Sequence, residues 1–389
     1  MKELETYYIR ANRFFLPDGV EQEGYLPISD GKFGQYTKEL PDKSVNVVDY
    51  RDKWIAPGLV DTHIHGFMGH DVMDNDFEGI KEISKGLLKC GVTSFLPTTL
   101  TSDVETLNQV SQMIGENYQE VTGAKIRGIF FEGPFFTEEH KGAQNPKFFG
   151  DPDLDQFHHW QKLAGGLIKK IALAPERKGA AEFTKRLTEE GVTVALGHSS
   201  ATMEQTKRVV SAGASVFVHT YNGMSGLNHR EPGMVGAAMI EKDTIAELIC
   251  DGQHVHRAAT EILMDVKGRQ HIALITDCMR AGGMPDGEYT LGDFPVEVRN
   301  GAARLKNGGS LAGSVLELFQ AVKNVCDWDI ATVEEAIQMA SFVPAQSCRM
   351  EDCCGSIQAG HDADFLVIDS KLNLIETYLN GTLVYKNEN

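Results

Sequence analysis

Six residues in this chain combine side-chain types and spacing that suit metal binding. His63 and His65 are two positions apart, and on a β-strand such a pair points both side chains to the same face. The remaining members each close a short apolar run of the sequence: Glu132, His198, His219 and Asp277. Imidazole nitrogens and carboxylate oxygens suit zinc, iron or another first-row divalent metal. We therefore predict a divalent metal site, holding zinc or iron, built from these six residues.

Each of these residues taken alone has a simpler interpretation. The chain contains 13 histidines, and a single one is more often structural or solvated than a ligand. We interpret His158, His159 and His271 in that way. The joint occurrence of all six candidates at strand ends is what favours a shared metal site. His254, three positions after Asp251, is predicted to begin a helix beside the site and to contact a substrate.

Short β-branched or aromatic runs alternate along the chain with longer amphipathic segments, which is typical of βα units. This alternation predicts a fold in which the ends of several strands lie close together. Eight parallel strands of continuous apolar character favour an α/β fold with a closed (β/α)8 TIM barrel over an open sheet. The active site of such a barrel lies at the carboxyl ends of its strands. The predicted strands are Leu59–His65, Val92–Pro97, Ile126–Glu132, Ile168–Pro175, Val192–His198, Ala214–Thr220, Ile245–Asp251 and His271–Asp277.

The segments between and after these strands have helical periodicity. Two of them begin with capping-box patterns, Ser102-x-x-Glu105 and Thr202-x-x-Gln205, which satisfy free N–H groups of a first helical turn. The predicted helices are Phe77–Cys90, Val104–Tyr118, Ala180–Glu190, Met203–Ala212, Ala258–Lys267, Ser314–Asp327 and Val333–Phe342.

Both ends of the chain have a different, strand-rich pattern. Asn380-Gly381 is a pair typical of a type I′ hairpin turn. Neither end is large enough to fold alone, so we predict that the two pair into one small β-sandwich beside the barrel. The predicted domains are residues 1–55 and 355–389 for the β-sandwich and 56–354 for the barrel. The predicted strands here are Tyr7–Leu16, Tyr25–Ile28, Val45–Val48, Ala363–Ile368, Leu374–Leu379 and Thr382–Lys386.

Charge and composition restrict the partners. With 37 basic against 55 acidic residues, the formal net charge is −18, which argues against nucleic acid or an anionic membrane as the main partner. The net charge does not argue against a small anionic ligand, because Arg230, in a loop with Gly and Pro, has a guanidinium that can bind phosphate in a bidentate manner. Seven cysteines without C-x2-C spacing favour reduced thiols. Met1–Leu16 is charged and lacks a long apolar run, so we expect a cytoplasmic protein without a secretory signal or membrane span.

The segment Pro57-Gly58-Leu59-Val60-Asp61-x-His63-x-His65-Gly66 resembles the opening motif of the amidohydrolase superfamily. Later segments are similar to the amino-sugar-phosphate deacetylases of that superfamily, and they are the more specific part of the resemblance. The similarity runs from about residue 55 onward. The segments are Glu132–Phe135, Lys141–Pro146, Gly197–Ser199, His219–Met224, Arg230–Gly233, Asp251–His254, Thr276–Met279 and Leu311–Ser314.

The resemblance implies metal-dependent hydrolysis of the acetamide of N-acetyl-D-glucosamine 6-phosphate, with Glu132, His198 and His219 as core ligands and Asp277 as general base and then acid. It also implies a homodimer in which Arg230 reaches the phosphate in the neighbouring subunit. The residues that it places on the sugar phosphate are Ala143, Gln144, Asn222, Gly223, Arg230, Asp251, His254, Leu311, Ala312 and Gly313.

This chain differs from some members of the family in two ways, which affect the expected number of ions and one substrate contact. Some members of the family lack part of the His-x-His motif and bind one metal, whereas this chain keeps His63 and His65. One or two ions per subunit are therefore expected, with Glu132 in place of the carboxylated lysine that bridges two ions elsewhere in the superfamily. Some members have a histidine where this chain has Gln144, which leaves that contact open.

Two alternatives remain at this point. The first is another amidohydrolase, such as a cyclic amidase or a deaminase. Those enzymes typically use a bridging lysine or a His-x-Glu pair, whereas here the third strand ends in Glu132. The second is a non-catalytic sugar-phosphate-binding regulator, which we would expect to have lost ligands or the aspartate. This chain has all six.

Overall fold

The computed structural model describes residues 6–42 and 44–388. Its strands are β1 (Tyr7–Leu16), β2 (Gly19–Ser29), β3 (Lys32–Phe33), β4 (Asn46–Pro57), β5 (Leu59–Ile64), β6 (Gly66–Phe67), β7 (His70–Asp71), β8 (Val92–Thr99), β9 (Lys125–Ile126), β10 (Ile129–Phe135), β11 (Ile168–Leu173), β12 (Thr193–Leu196), β13 (Val216–Phe217), β14 (Ile245–Leu248), β15 (Ile272–Leu274), β16 (Gly287–Leu291), β17 (Phe294–Arg299), β18 (Ala302–Leu305), β19 (Phe365–Ile368), β20 (Leu374–Leu379) and β21 (Thr382–Lys386).

Seven of the ten α-helices of the described residues correspond to predicted segments, and those at Leu154–Leu163, Gly233–Ile240 and Phe342–Ser347 were not predicted. The helices are α1 (Phe77–Leu87), α2 (Val104–Asn117), α3 (Leu154–Leu163), α4 (Ala180–Glu189), α5 (Met203–Ser211), α6 (Gly233–Ile240), α7 (Arg257–Lys267), α8 (Leu318–Asp327), α9 (Val333–Ala340) and α10 (Phe342–Ser347). Short 3-10 turns occupy Val72–Asp74, Leu88–Cys90, Tyr118–Glu120, Glu138–His140, Pro146–Phe148 and Arg269–His271. None of the helices described is long and apolar enough to cross a membrane.

Eight parallel strands form the barrel, in the order β5, β8, β10, β11, β12, β13, β14 and β15. Their pairing follows chain order, because each crossover helix returns the chain to the next position in the sheet. The first and last strands close the barrel through Asp277 N–H, which donates to His63 O at 2.8 Å, and His65 N–H, which donates to Cys278 O at 2.8 Å. The predicted (β/α)8 barrel is confirmed.

Three of the six predicted metal-site residues lie two or three positions beyond the strands that were predicted to contain them. β12 ends at Leu196, β13 at Phe217 and β15 at Leu274, two or three residues before His198, His219 and Asp277. The reason is backbone conformation, since φ is +46°, +30° and +49° at these three residues. A left-handed residue interrupts the strand ladder, and it turns its side chain away from the strand's alternation. Such a conformation costs about 1–3 kcal/mol and is typical of active sites.

The two chain ends form one small β domain, as predicted. Its seven strands are joined in the order β21, β20, β19, β4, β1, β2 and β3. β3 and β19 are four positions apart in this order, yet the rings of Phe33 and Phe365 lie 6.2 Å apart, so the sheet folds over on itself around a shared core. β20 and β21 match the predicted hairpin, with positive φ at both Asn380 and Gly381 as a type I′ turn requires. The domain boundaries at 55 and 355 stay a prediction, and residues 1–5 of the first range lie outside the described residues.

Two local predictions were wrong. Asp103, not Ser102, caps α2, since the helix begins at Val104 and the Asp103 carboxylate accepts a hydrogen bond from Thr106 N–H. His254 lies before α7 rather than at its start. Asp251 accepts from the N–H groups of residues 253 and 254, which holds this segment in a turn. The capping box at Thr202 is confirmed, and all seven cysteines are free thiols.

A three-stranded antiparallel sheet, β16–β18, follows the barrel and was not predicted. Its Asn300-Gly301 turn has positive φ at both residues, so the hairpin signal was present in the sequence. Leu291, Val296 and Val298 of this sheet pack with residues of the loops above the barrel. The sheet thereby supports the segment 311–313 that lines the barrel mouth.

Asp362 connects the β domain to the barrel. Its carboxylate accepts hydrogen bonds from Lys32 of β3 at 2.6 Å, Lys125 of β9 at 2.9 Å and Arg127 at 2.7 Å. Burial alone would raise the pKa of this carboxyl, but the three cations hold it well below its usual range. The ionised form is therefore stabilised in the folded protein.

We expect Asp362→Asn to lower the free energy of unfolding by about 1.5–2 kcal/mol at pH 7, the lower part of the range for hydrogen bonds to charged groups. A depressed carboxyl pKa contributes stability above its unfolded value of about 3.9, and this stability is lost as pH falls. The difference between the two proteins in urea unfolding should therefore narrow below about pH 4. Asp52→Asn, at an exposed aspartate, is the control and should change little. An equal difference at pH 3 and pH 7 would contradict this assignment.

Candidate functional site

The carboxylate of Glu132 lies at the centre of the barrel mouth. Its Oε1 atom is 3.3 Å from His63 Nε2, 3.3 Å from His198 Nε2 and 3.1 Å from His219 Nε2. Its Oε2 atom is 3.2 Å from His65 Nε2. One carboxylate from the third barrel strand therefore contacts all four candidate histidines.

Asp277 contacts the same cluster from the loop after the eighth strand. Its Oδ1 atom is 3.1 Å from His65 Nε2 and 3.5 Å from His63 Nε2. The structure therefore brings together all six residues singled out by the sequence. Asp277 retains some exposure, with 13 % of its side chain accessible, whereas Glu132 and the four imidazoles are buried. This places a carboxylate between the buried cluster and the open cavity.

The second ring nitrogen of each histidine is bound to the protein. The Nδ1 atoms of His65, His198 and His219 lie 3.1, 2.8 and 3.1 Å from the carbonyl oxygens of Thr98, His140 and Asn222. A carbonyl only accepts, so each Nδ1 carries the proton and each Nε2 presents a lone pair to the centre. His63 Nδ1 instead lies 3.1 Å from the Glu247 carboxylate. Histidines held in this way are typical of metal ligands.

The cluster favours positive charge at its centre. Burial alone would lower the pKa of His63, but the carboxylates of Asp277 and Glu132 outweigh it and raise this pKa to about 9. Burial would raise the pKa of Glu132, whereas the neighbouring imidazoles of His63, His198 and His219 hold it well below its usual range. For Asp277, burial is outweighed by His63 and His65, and its pKa falls to about 2. A divalent cation would supply this positive charge in place of the protons.

The donor set fits a metal. His63 Nε2 is buried and makes no hydrogen bond within the described part of the chain, which is costly for a polar atom unless another group occupies the centre. Two sets of three side chains have donor atoms within 4.8 Å of one another. One comprises His63, Glu132 and His219, and the other comprises His63, His65 and Asp277. His63 belongs to both sets, and its single Nε2 lone pair can bind one ion.

A cavity of about 510 Å³ opens above the cluster. Gln144 is buried there, and its amide is already engaged, since Nε2 donates to Glu132 Oε2 at 2.6 Å and Oε1 accepts from Thr101 N–H at 2.8 Å. It therefore holds Glu132 as well as lining the cavity. The predicted site residues that line this cavity are His65, Glu132, Ala143, Gln144, His198, His219, Asn222, Gly223, His254, Asp277, Leu311, Ala312 and Gly313.

Three predicted residues lie elsewhere. His63 is beneath the cavity floor, with no exposed surface. Asp251 lies behind His254, and its Oδ2 atom is 2.6 Å from the Nδ1 atom of that histidine, which fixes the ring. Arg230 is exposed on a loop and is absent from the cavity lining of its own chain.

Several residues that shape the site were missed at the level of sequence. Lys170 and Glu247 lie in the middle of β11 and β14 with no exposed surface, and Glu247 contacts His63. The sequence contained a signal for these two residues, because a charged residue inside an otherwise apolar strand is unusual. The segment 138–141 also lines the cavity, and its His140 carbonyl orients His198, but a backbone contact of this kind leaves no trace in residue type.

The model of the amidohydrolase family matches residues 54–386, which is most of the chain and includes every residue of the cluster. The chain belongs to the amidohydrolase family. This family is metal-dependent, in agreement with the donor set described above.

Individual relatives narrow the comparison. The chain is 40% identical over 332 residues to N-acetylglucosamine-6-phosphate deacetylase of Vibrio furnissii, which covers 85% of this chain and 83% of the relative. It is 38% identical over 379 residues to N-acetylgalactosamine-6-phosphate deacetylase of Escherichia coli O157:H7, covering 97% and 99%. Among solved structures, a mutant N-acetyl-D-glucosamine-6-phosphate deacetylase from Mycobacterium smegmatis, in complex with N-acetyl-D-glucosamine-6-phosphate, superposes with a TM-score of 0.92 at 26% identity and covers 98% of this chain and 100% of that one.

Proposed function

We propose that this protein hydrolyses the acetamide of N-acetyl-D-glucosamine 6-phosphate to D-glucosamine 6-phosphate and acetate. The observation that carries the proposal is the cluster of Glu132, four histidines and Asp277 beneath a sugar-sized cavity, in a chain similar to deacetylases of N-acetylated hexosamine phosphates. A cyclic amidase or a deaminase is less well supported, since relatives named as deacetylases match the chain almost end to end. A non-catalytic sugar-phosphate-binding regulator is also less well supported, because such a protein would not need an intact set of metal ligands.

Glu132, His198 and His219 would hold the first ion, and His63, His65 and Asp277 would add donors for a second. We propose zinc or iron, because neutral imidazoles with carboxylates suit both. When bound, the metal polarises the acetamide carbonyl and lowers the pKa of a water from 15.7 to about 7.

Asp277 has the properties of a proton carrier in this reaction. Its carboxylate is ionised at neutral pH, because its pKa is about 2, and it borders the cavity. It would accept the proton of the attacking water through Oδ2 while Oδ1 stays near His63 and His65. It would then pass this proton to the sugar nitrogen as the C–N bond breaks, which lets the amine leave uncharged.

The sugar phosphate would occupy the cavity lined by Ala143, Asn222, Gly223, His254 and the segment 311–313. His254 lines this cavity outside the metal cluster, and Asp251 holds its Nδ1 atom, so Nε2 faces a ligand. We propose that His254 contacts the phosphate. Gln144 already uses its side-chain oxygen to bind Thr101 N–H and its side-chain nitrogen to bind Glu132. Any contact between Gln144 and the sugar would therefore involve other groups of this residue.

We further propose a homodimer in which Arg230 completes the phosphate site of the neighbouring subunit. Ile262 and Val266 are one turn apart on the outer face of α7, and both are exposed. The exposed Ile240 ends the neighbouring helix α6, and Leu227 packs against Gly236 of the same helix. This apolar strip beside the Arg230 loop suits a second copy of the chain. We also propose a cytoplasmic location, in keeping with seven free thiols.

Asp277→Asn tests the proton carrier. We expect kcat for acetate release to fall by at least ~100-fold, because general acid–base catalysis is lost, while the ion held by Glu132, His198 and His219 is retained. Acetate release and elemental analysis of the same preparation measure both. Asp155→Asn, at an exposed aspartate of α3, is the matched control. Unchanged turnover with full metal content would remove Asp277 from this role.

Arg230→Ala tests the phosphate contact across subunits. We expect kcat/KM for N-acetyl-D-glucosamine 6-phosphate to fall about 10- to 100-fold, the equivalent of a charge-assisted hydrogen bond, with little change for unphosphorylated N-acetyl-D-glucosamine. The galactosamine isomer is assayed in parallel, and Arg208→Ala, at an exposed arginine of α5, is the control. Equal losses on phosphorylated and plain sugars would argue against the phosphate role. A monomer in sedimentation analysis of the parent protein would argue against the dimer.

A further inference from the structure

A buried ion pair lies in the barrel interior directly below the metal cluster. Lys170 Nζ contacts Glu247 Oε1, and neither side chain has exposed surface. Removing both charges from water costs several kcal/mol each, and apolar side chains of similar volume often serve stability as well or better. Stability alone therefore gives no reason for this pair at this position.

The pair is connected to the site through a single residue. Glu247 Oε2 lies 3.1 Å from His63 Nδ1, while Oε1 contacts Lys170. The other three cluster histidines donate Nδ1–H to neutral backbone carbonyls. His63 alone among the four donates to a carboxylate, and hydrogen bonding to a carboxylate raises the basicity of the imidazole as a ligand.

Phe130 encloses the same histidine from another side. Its ring is in edge contact with His63, with 4.8 Å between centroids, and Lys170 Nζ lies 3.8 Å from the centroid of the Phe130 ring. Lys170 thus contacts both groups that hold His63, the carboxylate of Glu247 and the ring of Phe130. The imidazole has one orientation in which Nδ1 donates to Glu247, and this orientation directs Nε2 at Glu132 and Asp277.

We propose that Glu247, itself held by Lys170, is a positioning residue for His63 and sets how tightly the cluster retains its ions. His63 belongs to both possible donor sets, so a loss of its orientation or basicity weakens whichever of the two sets uses it to bind an ion. Lys170 contacts Oε1 of this carboxylate, which leaves Oε2 turned toward His63. This lysine is on the fourth barrel strand, and its Nζ is engaged by Glu247.

This inference rests on the metal dependence within the proposed function, and its test is metal retention rather than turnover. The test protein is the double variant Lys170→Met/Glu247→Gln, which removes both charges together and keeps an amide oxygen to accept from His63 Nδ1. A single Glu247→Gln would leave a buried cation unpaired and lower stability for that reason alone. Glu247→Asp is the second variant, since it keeps the charge but withdraws it from His63 by one methylene.

The measurement is the release of metal from purified holoprotein to excess 4-(2-pyridylazo)resorcinol, together with the cobalt(II) absorption spectrum after exchange. We expect ~10- to 100-fold weaker metal retention in the double variant and an altered cobalt spectrum, with Glu247→Asp affected in the same direction. Glu376→Gln, at a buried carboxylate of the β domain paired with Lys386, is the matched control and should behave as the parent.

The outcomes separate the two proposals. If the parent protein holds metal and both variants at Glu247 retain it with parental rate and spectrum, the positioning role is overturned and the proposed function stands. If both variants unfold in circular dichroism before losing metal any faster than the parent, the pair is a structural element and the positioning role is likewise overturned. If the parent protein holds no metal and releases acetate without it, the metal dependence within the proposed function fails first.

Discussion

The whole arrangement depends on keeping two carboxylates and four imidazoles within contact distance in a largely buried site. Glu132 and Asp277 both approach His63 and His65, and two more histidines converge on Glu132. Without a cation, these groups are charged or lack partners, and each such group is costly to bury. A bound divalent ion turns the same contacts into coordination, which is why the barrel can hold them together.

The fold supplies this concentration of charge in a specific way. Parallel strands bring their carboxyl ends to one face of the barrel, and the first, third, fifth, sixth and eighth strands each contribute a residue of the cluster at or just beyond that end. Left-handed backbone at His198, His219 and Asp277 then turns three of the side chains toward the centre. The remaining ring nitrogens are held by backbone carbonyls or, at His63, by Glu247. Orientation of the imidazoles is thus a property of the barrel and its loops together.

Much of the fold and of the site was predicted from the sequence alone, because local signals are strong where periodicity and turn chemistry agree. The eight apolar runs, the hairpin around Asn380-Gly381 and the six residues of the cluster fall in this class. The exact ends of β12, β13 and β15 could not be predicted, since positive φ at a histidine or an aspartate is imposed by tertiary contacts rather than by residue type. The β16–β18 sheet was missed although Asn300-Gly301 marked its turn. The capping of α2 was assigned one residue early because serine and aspartate are adjacent and both are good caps.

Residues that act through others were the least accessible to prediction. The interaction of Lys170 with Glu247 joins two strands that are 77 positions apart, and nothing local to either strand indicates its partner. Gln144 was expected to contact a sugar, yet its amide binds Glu132 and Thr101 N–H. In both cases the residue type indicated that the side chain has a function. The group that the side chain contacts could not be predicted, because it depends on which residues the closed barrel brings together.

The account is tested most directly by stepwise addition of zinc to metal-free protein, with acetate release from N-acetyl-D-glucosamine 6-phosphate measured at each step. It predicts no turnover without metal and activity that rises in proportion to added zinc, to a plateau at no more than about two ions per chain, the number proposed for this site. Full acetate release by the metal-free protein would contradict it.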